Sequence, residues 1–413
     1  MDFTDDLGAW VARQRWYAGK SHAPRFRILD AQPVPGATRY LLMDDAGTRP
    51  ALYNVPLALV EDPVEPHAVV ARESAGYLID ATRHPEFVTG MLAEMGVDVS
   101  RVTGSRTLTG EQSNTSIVFD QDHEPTIILK LFRSLHHGEN PDVTVQRALS
   151  DAGSPYVPRF YGSLDAEWPD IGRRSGVASG TVAFAQEFLP GVRDGWAVAL
   201  EAAREQRDFT EAARDLGAAV AGVHGALGAA LETGDAGPDE VTATQTAWRR
   251  RLAIAAAEVP AVAERLPAID AVYRTALERE WPRLQRIHGD LHLGQVLAVP
   301  DRGWRIVDFE GEPLRPMEER AVPDLPPRDV AGMLRSFDYA SAVGGAPEGS
   351  GWAASCQAAF LDSYAAAPGT VPLDPALLRA LVLDKAVYES IYEARNRPDW
   401  LPVPLAGIDA ALA

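Results

Sequence analysis

The chain has 413 residues, too many for one ordinary domain, and its 46% hydrophobic and 23% charged residues describe a globular protein able to bury a substantial core. A formal net charge of -19 argues against wrapping nucleic acid, which needs a basic face, yet a few local cations and backbone N–H groups could still hold one triphosphate. The single cysteine, Cys356, excludes an intrachain disulfide framework; the acidic start and the lack of any long apolar run predict a cytoplasmic chain with neither signal peptide nor membrane span.

In chain order, residues 1–100 read as a small mixed α/β unit. Helical apolar spacing around Trp10 opens it, alternating stretches at 26–29, 40–43 and 51–60 follow as antiparallel strands, and residues 85–95 close it as a helix. Residues 101–190 read as β-β-β-α-β-β. Strands near 107 and at 116–119 flank a polar turn, and the third strand, 126–132, carries Lys130 within an apolar run. A helix at 142–149 and strands at 156–164 and 181–188 complete this β-rich unit, which ends at Leu189-Pro190-Gly191. Residues 191–413 are mainly helical, with periodic segments at 209–227, 244–259, 268–281 and 377–395. A hairpin at 295–298 and 304–307 interrupts them, and the prolines of 323–327 mark a loop. The expected class is therefore α+β: a bilobal, protein-kinase-like outline with an added N-terminal subdomain.

Phosphoryl transfer asks little covalent chemistry of a protein. It needs a carboxylate to orient the nucleophile, oxygen ligands for Mg²⁺, and cations or N–H groups on the phosphates of ATP. Asp290, in the loop His288-Gly289-Asp290-Leu291-His292, is placed to accept a hydrogen bond from an acceptor hydroxyl. Gln295 starts the hairpin and Asp308 ends it; together they offer the few oxygens that Mg²⁺ takes from protein. The alternation of His288, Asp290 and His292 also suggests a transition-metal site, but no third histidine lies nearby, and His288 is expected to support the loop instead. Lys130 is either an edge lysine whose stem reaches water or a buried cation that needs an anionic partner such as phosphate. The turn leading through Gln112, Ser113, Asn114, Thr115 and Ser116 can present N–H groups to the same phosphates, and the backbone of Glu187 and Leu189 can hydrogen-bond adenine. Near the C-terminus Lys385, Tyr388, Glu389, Tyr392 and Arg395 fall on one helical face, with Trp400 beyond it. That face is either a salt-bridged surface with tyrosines at the core boundary or the wall of a sugar site.

These motifs resemble the actinobacterial maltokinases. The resemblance is carried by Gln112-Ser113-Asn114-Thr115-Ser116, Lys130-Leu131-Phe132-Arg133, Arg286 to Gln295, Asp308-Phe309-Glu310-Gly311-Glu312-Pro313, Arg328 to Ser336, and Asp384 to Pro402. Gln14-Arg15-Trp16-Tyr17-Ala18-Gly19-Lys20 is similar to the opening of that family's cap domain, so the likeness covers essentially the whole chain. It implies an aminoglycoside-phosphotransferase-like fold and Mg²⁺-dependent transfer of the ATP γ-phosphate to the anomeric hydroxyl of maltose, feeding α-glucan (glycogen) synthesis, with trehalose synthase as a partner of some members. By motif position it implies Asp290 as base, Gln295 and Asp308 as metal ligands, Lys130 on phosphate, and Asp329 as a brace for the catalytic loop. His292, Glu310, Lys385, Tyr388, Glu389, Tyr392, Arg395 and Trp400 make up the expected sugar set. The chain departs from the family at Thr144, where a glutamate often pairs with the lysine; Glu139 or Asp142 could replace it, or phosphate alone could hold Lys130. Rival expectations are a glucosamine or aminoglycoside kinase of the same fold and, from another class, a pseudokinase serving as an interaction module.

Overall fold

The computed structural model describes residues 3–20, 23–47, 50–62, 66–108, 114–170, 172–312, 315, 317–347 and 349–413. They form two compact units, residues 1–147 with 158–190, and residues 148–157 with 191–413. The expected segments 1–100 and 101–190 thus lie in one unit.

The first unit is built on two antiparallel sheets. One orders its main strands as Phe26–Val34, Ala37–Asp44, Ala51–Val60, Gly76–Asp80 and Val69–Glu73, with Ser134–Leu135 paired onto Ala51–Val60. The other runs Phe160–Pro169, Val177–Glu187, Glu124–Phe132, Asn114–Gln121, Val102–Thr107. The helix Pro85–Glu94 contributes Phe87, Val88, Met91 and Leu92 to a core shared with Ile79 of the first sheet and Ile117, Phe119, Ile127 and Leu129 of the second. That common core explains why the two segments form one unit. Lys130 occupies the central strand of the second sheet, not an edge. The hairpin before it turns through Asp122 and His123, both with positive φ (50° and 69°), the left-handed pair that a tight two-residue hairpin requires.

In the second unit the helix Pro375–Asn396 is the central beam. Asp374 caps it by accepting the N–H groups of Ala376 and Leu377, both at 2.9 Å. Its Leu377, Leu381, Val387 and Ile391 pack with residues of Pro238–Glu258, Leu266–Leu277 and Pro402–Leu412. Gly217, in Thr210–Ala230, lets that helix approach Trp352–Ala366 so closely that a Cβ there would meet the Phe360 carbonyl oxygen at 2.3 Å. A three-stranded antiparallel sheet, ordered Arg193–Asp194, Val296–Val299, Gly303–Ile306, contains the expected hairpin. Among the described residues no helix is long and apolar enough to cross a membrane.

Candidate active site

The loop around Asp290 is held from behind by one buried carboxylate. Asp329, in the first turn of Pro327–Gly344, accepts the N–H of His288 at 2.8 Å and of Gly289 at 2.9 Å. His224 adds a third contact through Nε2 at 3.0 Å. Burial pushes the Asp329 carboxyl up, but the hydrogen bonds and positive surroundings supplied by His224, His288 and the Gly289 N–H outweigh it and hold the group below its ordinary value. His288 supports the loop as expected: its Nε2 lies 3.0 Å from the Val307 carbonyl, which can only accept, so Nε2 carries the proton and Nδ1 accepts the Asp290 N–H at 3.3 Å. Gly289, at φ +84°, is needed where the loop passes the stretch after Asp308, since a Cβ there would lie 3.2 Å from the Gly311 Cα.

Asp290 faces a cavity of about 560 Å³. His292 and Lys385 line it beside Asp290, and Trp196, Tyr339, Tyr388, Tyr392 and Trp400 supply aromatic faces. Lys385 Nζ donates to Asp290 Oδ1 at 3.2 Å. His292 is lowered by burial and so stays neutral, with Nδ1 accepting the Gly294 N–H at 3.0 Å. Each carboxylate on the lining is already engaged. Asp194 caps its helix through Ala197 N–H at 2.7 Å, Asp290 meets Lys385, and Glu389 meets Arg335 Nη2 at 2.8 Å. Glu393 takes Arg397 at 2.7 and 2.9 Å and the Tyr339 hydroxyl at 3.1 Å. The Arg397 guanidinium also lies 4.2 Å from the Trp400 ring centroid and 5.3 Å from that of Tyr392.

Gln295 and Asp308 meet at the hairpin, Nε2 to Oδ2 at 2.8 Å. Asp308 is held at φ +68°, unfavourable for a side chain with Cβ and typical of a functional constraint. Because the Gln295 amide nitrogen is committed to Asp308, its oxygen and the carboxylate are the free-to-coordinate pair, a hard oxygen set that fits Mg²⁺.

Two members of the expected sugar set stand elsewhere. Arg395 does not line the cavity; its Nε pairs with Glu258 at 2.8 Å on an exposed surface, and Arg397 takes the position at the wall. Glu310 has a carboxylate oxygen within 4.8 Å of one of Asp308, beside the expected metal ligands instead of on the cavity lining. Asp194, Trp196, Tyr339, Glu393 and Arg397 were missed. Glu393 carries a signal in the sequence, one helical turn beyond Glu389.

The first unit carries the nucleotide half of the expected set. Lys130 Nζ pairs with Asp142 Oδ2 at 3.2 Å and lies 5.4 Å from the Phe184 ring centroid, so Asp142 is its acidic partner. Asn140 positions that acid by accepting the Asp142 N–H at 2.9 Å. Ser116 sits directly across from Lys130 in the ladder, while Thr115 points to the opposite face. The Thr115 hydroxyl accepts Arg133 Nε at 2.8 Å, which removes its side chain, though not its backbone, from the expected phosphate face. Asn114 starts that strand; Gln112 and Ser113 lie outside the described residues. Glu187 ends its strand with its N–H on the Arg159 carbonyl at 2.8 Å, and Leu189 is buried two residues on.

A model of the phosphotransferase enzyme family matches residues 105–377. The chain belongs to this family. A maltokinase N-terminal cap domain matches residues 10–83, in keeping with the maltokinase resemblance. Glucosamine kinase from Streptacidiphilus jiangxiensis is 31% identical over 364 residues, covering 82% of this chain and 78% of that protein. Glucosamine kinase from Mycolicibacterium smegmatis is 29% identical over 336 residues, covering 75% and 80%. A solved glucosamine kinase in complex with glucosamine, ADP and inorganic phosphate aligns over 100% of both chains with a TM-score of 0.74 at 23% identity, a likeness of fold. This phosphotransferase has the family's α+β kinase-like fold with an N-terminal sheet subdomain.

Proposed function

We propose that this phosphotransferase is an ATP-dependent sugar kinase that phosphorylates maltose at its anomeric hydroxyl. The observation that carries the proposal is the placement of Asp290 at a cavity with five aromatic residues on its lining and every lining carboxylate already engaged. Aromatic rings cover the apolar faces of sugars, and several of them around one cavity suit more than one ring. A cationic amino sugar would instead seek a carboxylate with no protein donor on either oxygen.

Asp290 accepts the hydrogen bond of the acceptor hydroxyl and orients its oxygen for in-line attack. The new bond joins that oxygen to the γ-phosphorus, the bond from the γ-phosphorus to the bridging oxygen of ADP breaks, and the hydroxyl proton passes to Asp290. Lys130, set by Asp142, binds phosphate oxygens of ATP. Gln295 and Asp308 hold Mg²⁺, which when bound offsets the negative charge of the phosphates.

A second reading, glucosamine as acceptor, is favoured by the two curated relatives. Incubation with ATP and maltose, glucosamine, glucose or kanamycin, followed by phosphorus NMR of the products, separates them. Maltose 1-phosphate is the expected product; phosphorylated glucosamine with no product from maltose removes the maltose assignment.

A further inference from the structure

Lys385 stands between two carboxylates. Its Nζ lies 3.2 Å from Asp290 Oδ1 and 3.4 Å from Glu312 Oε1. Glu312 is buried, at 8% exposure, and its other oxygen lies 3.8 Å from Arg328 Nη2. Arg328 in turn lies 3.5 Å from Asp324. The row Asp290, Lys385, Glu312, Arg328, Asp324 therefore alternates in sign, with buried Glu312 at its centre. Asp290 and Lys385 also line a second void of about 30 Å³, water-sized, shared with Glu312, Arg328, Arg251 and Asp384. The pair thus has the acceptor cavity on one side and a charged cluster on the other.

We propose that Glu312 is a positioning residue for phosphoryl transfer: it anchors the Lys385 ammonium so that Lys385 fixes Asp290 Oδ1 and leaves Oδ2 to accept the acceptor hydroxyl. Three features support this. Lysine is a flexible cation on a four-carbon stem and needs a second anchor to hold one geometry. Oδ2 of Asp290 has no protein partner among the described residues. Burial alone raises the Glu312 carboxyl, but Lys385, Arg328 and Arg251 overcome it and keep the group below its ordinary value, hence ionised as an anchor must be. Glu312 touches neither sugar nor phosphate in this role; it acts through Lys385.

The inference rests on Asp290 as the base, and the experiment separates the two. Wild type, Glu312→Gln, Lys385→Met, their double variant and Asp290→Asn are compared in steady-state kinetics with ATP and the sugar that the acceptor panel identifies, alongside thermal unfolding. Glu312→Gln is expected to lower kcat about 10- to 100-fold, the scale of a misplaced reacting group, with KM for ATP and the melting temperature near wild type. The double variant is expected to be no slower than Lys385→Met, because the two act as one unit. A Glu312→Gln enzyme within twofold of wild-type kcat beside an inactive Asp290→Asn overturns the positioning role and leaves the base in place. Loss of turnover only in proportion to lost folded protein overturns it equally. A fully active Asp290→Asn removes the base and the inference with it. If the glutamine variant does not fold, Glu312→Asp carries the test: it keeps the charge, withdraws it by one methylene, and is expected to lower kcat without raising KM for ATP.

Discussion

Replacing Asp329 by asparagine keeps the volume of the buried brace and removes its charge and one acceptor. In the native loop the carboxylate accepts from His288 N–H, Gly289 N–H and His224 Nε2 at 2.8, 2.9 and 3.0 Å. An asparagine carbonyl can serve one side of this set, but its NH₂ then faces a donor on the other. With its oxygen in the Oδ2 position the asparagine keeps His288 and His224 but loses the Gly289 contact, about 1.5 kcal/mol, and leaves that donor buried against NH₂, about 1.5 kcal/mol more, a cost near 3 kcal/mol. That converts to roughly a hundredfold faster exchange of the His288 and Gly289 amides, at 1.4 kcal/mol per tenfold. Hydrogen exchange read residue by residue measures it directly, and kcat should fall with the loop. The pH dependence has a definite sign. The folded-state carboxyl is held below its unfolded value, so its contribution is present above the unfolded value of about 3.9 and is lost as pH falls through the lower folded one. The asparagine variant, lacking this titration, should lose less stability between neutral and acid pH than wild type. A folded variant whose two loop amides exchange at wild-type rates would refute the bracing argument.

Asp142→Asn should raise KM for ATP about ten- to hundredfold, the worth of one charge-assisted hydrogen bond to Lys130, and leave KM for the sugar unchanged in kinetics with each substrate varied in turn. Arg397→Ala should raise sugar KM, because it removes the cation beside Trp400 and leaves Glu393 with Tyr339 alone among the described residues, whereas Arg395→Ala should leave sugar KM unchanged, its partner being Glu258 on the surface. Thr115→Val should cost about 1 kcal/mol in urea unfolding by stripping Arg133 of an acceptor, with KM for ATP unaffected; a higher KM would return the hydroxyl to the phosphate face.

Local chemistry was the legible part of this chain. Asp290, Gln295 and Asp308 lie within one loop and hairpin, so chain order alone brought the last two together. The facing of Thr115 was not legible: the sequence sets it in the turn before the strand, and the ladder pairing of Ser116 with Lys130 is what turns Thr115 to the other face. What stayed hidden depended on where distant elements land. The extent of Pro327–Gly344 was obscured by the prolines before it, although proline at the first helical position starts a helix as readily as it marks a loop. Helical spacing carried the sugar face on to Arg395, but the helix ends at Asn396 and the short turn Pro398–Trp400 redirects the chain, so Arg397 takes the wall. The partner of Lys130 required the position of Asp142 against a central strand, and Glu312 finds Lys385 across 73 residues. These cases share one cause. A motif can name an ionisable residue, but its role follows from which opposite charge neutralises it, and that is set by tertiary packing. The same carboxylate is a cap at Asp194, a brace at Asp329 and the proposed base at Asp290 because one meets a helix N-terminus, one meets loop amides, and one meets Lys385 beside the cavity.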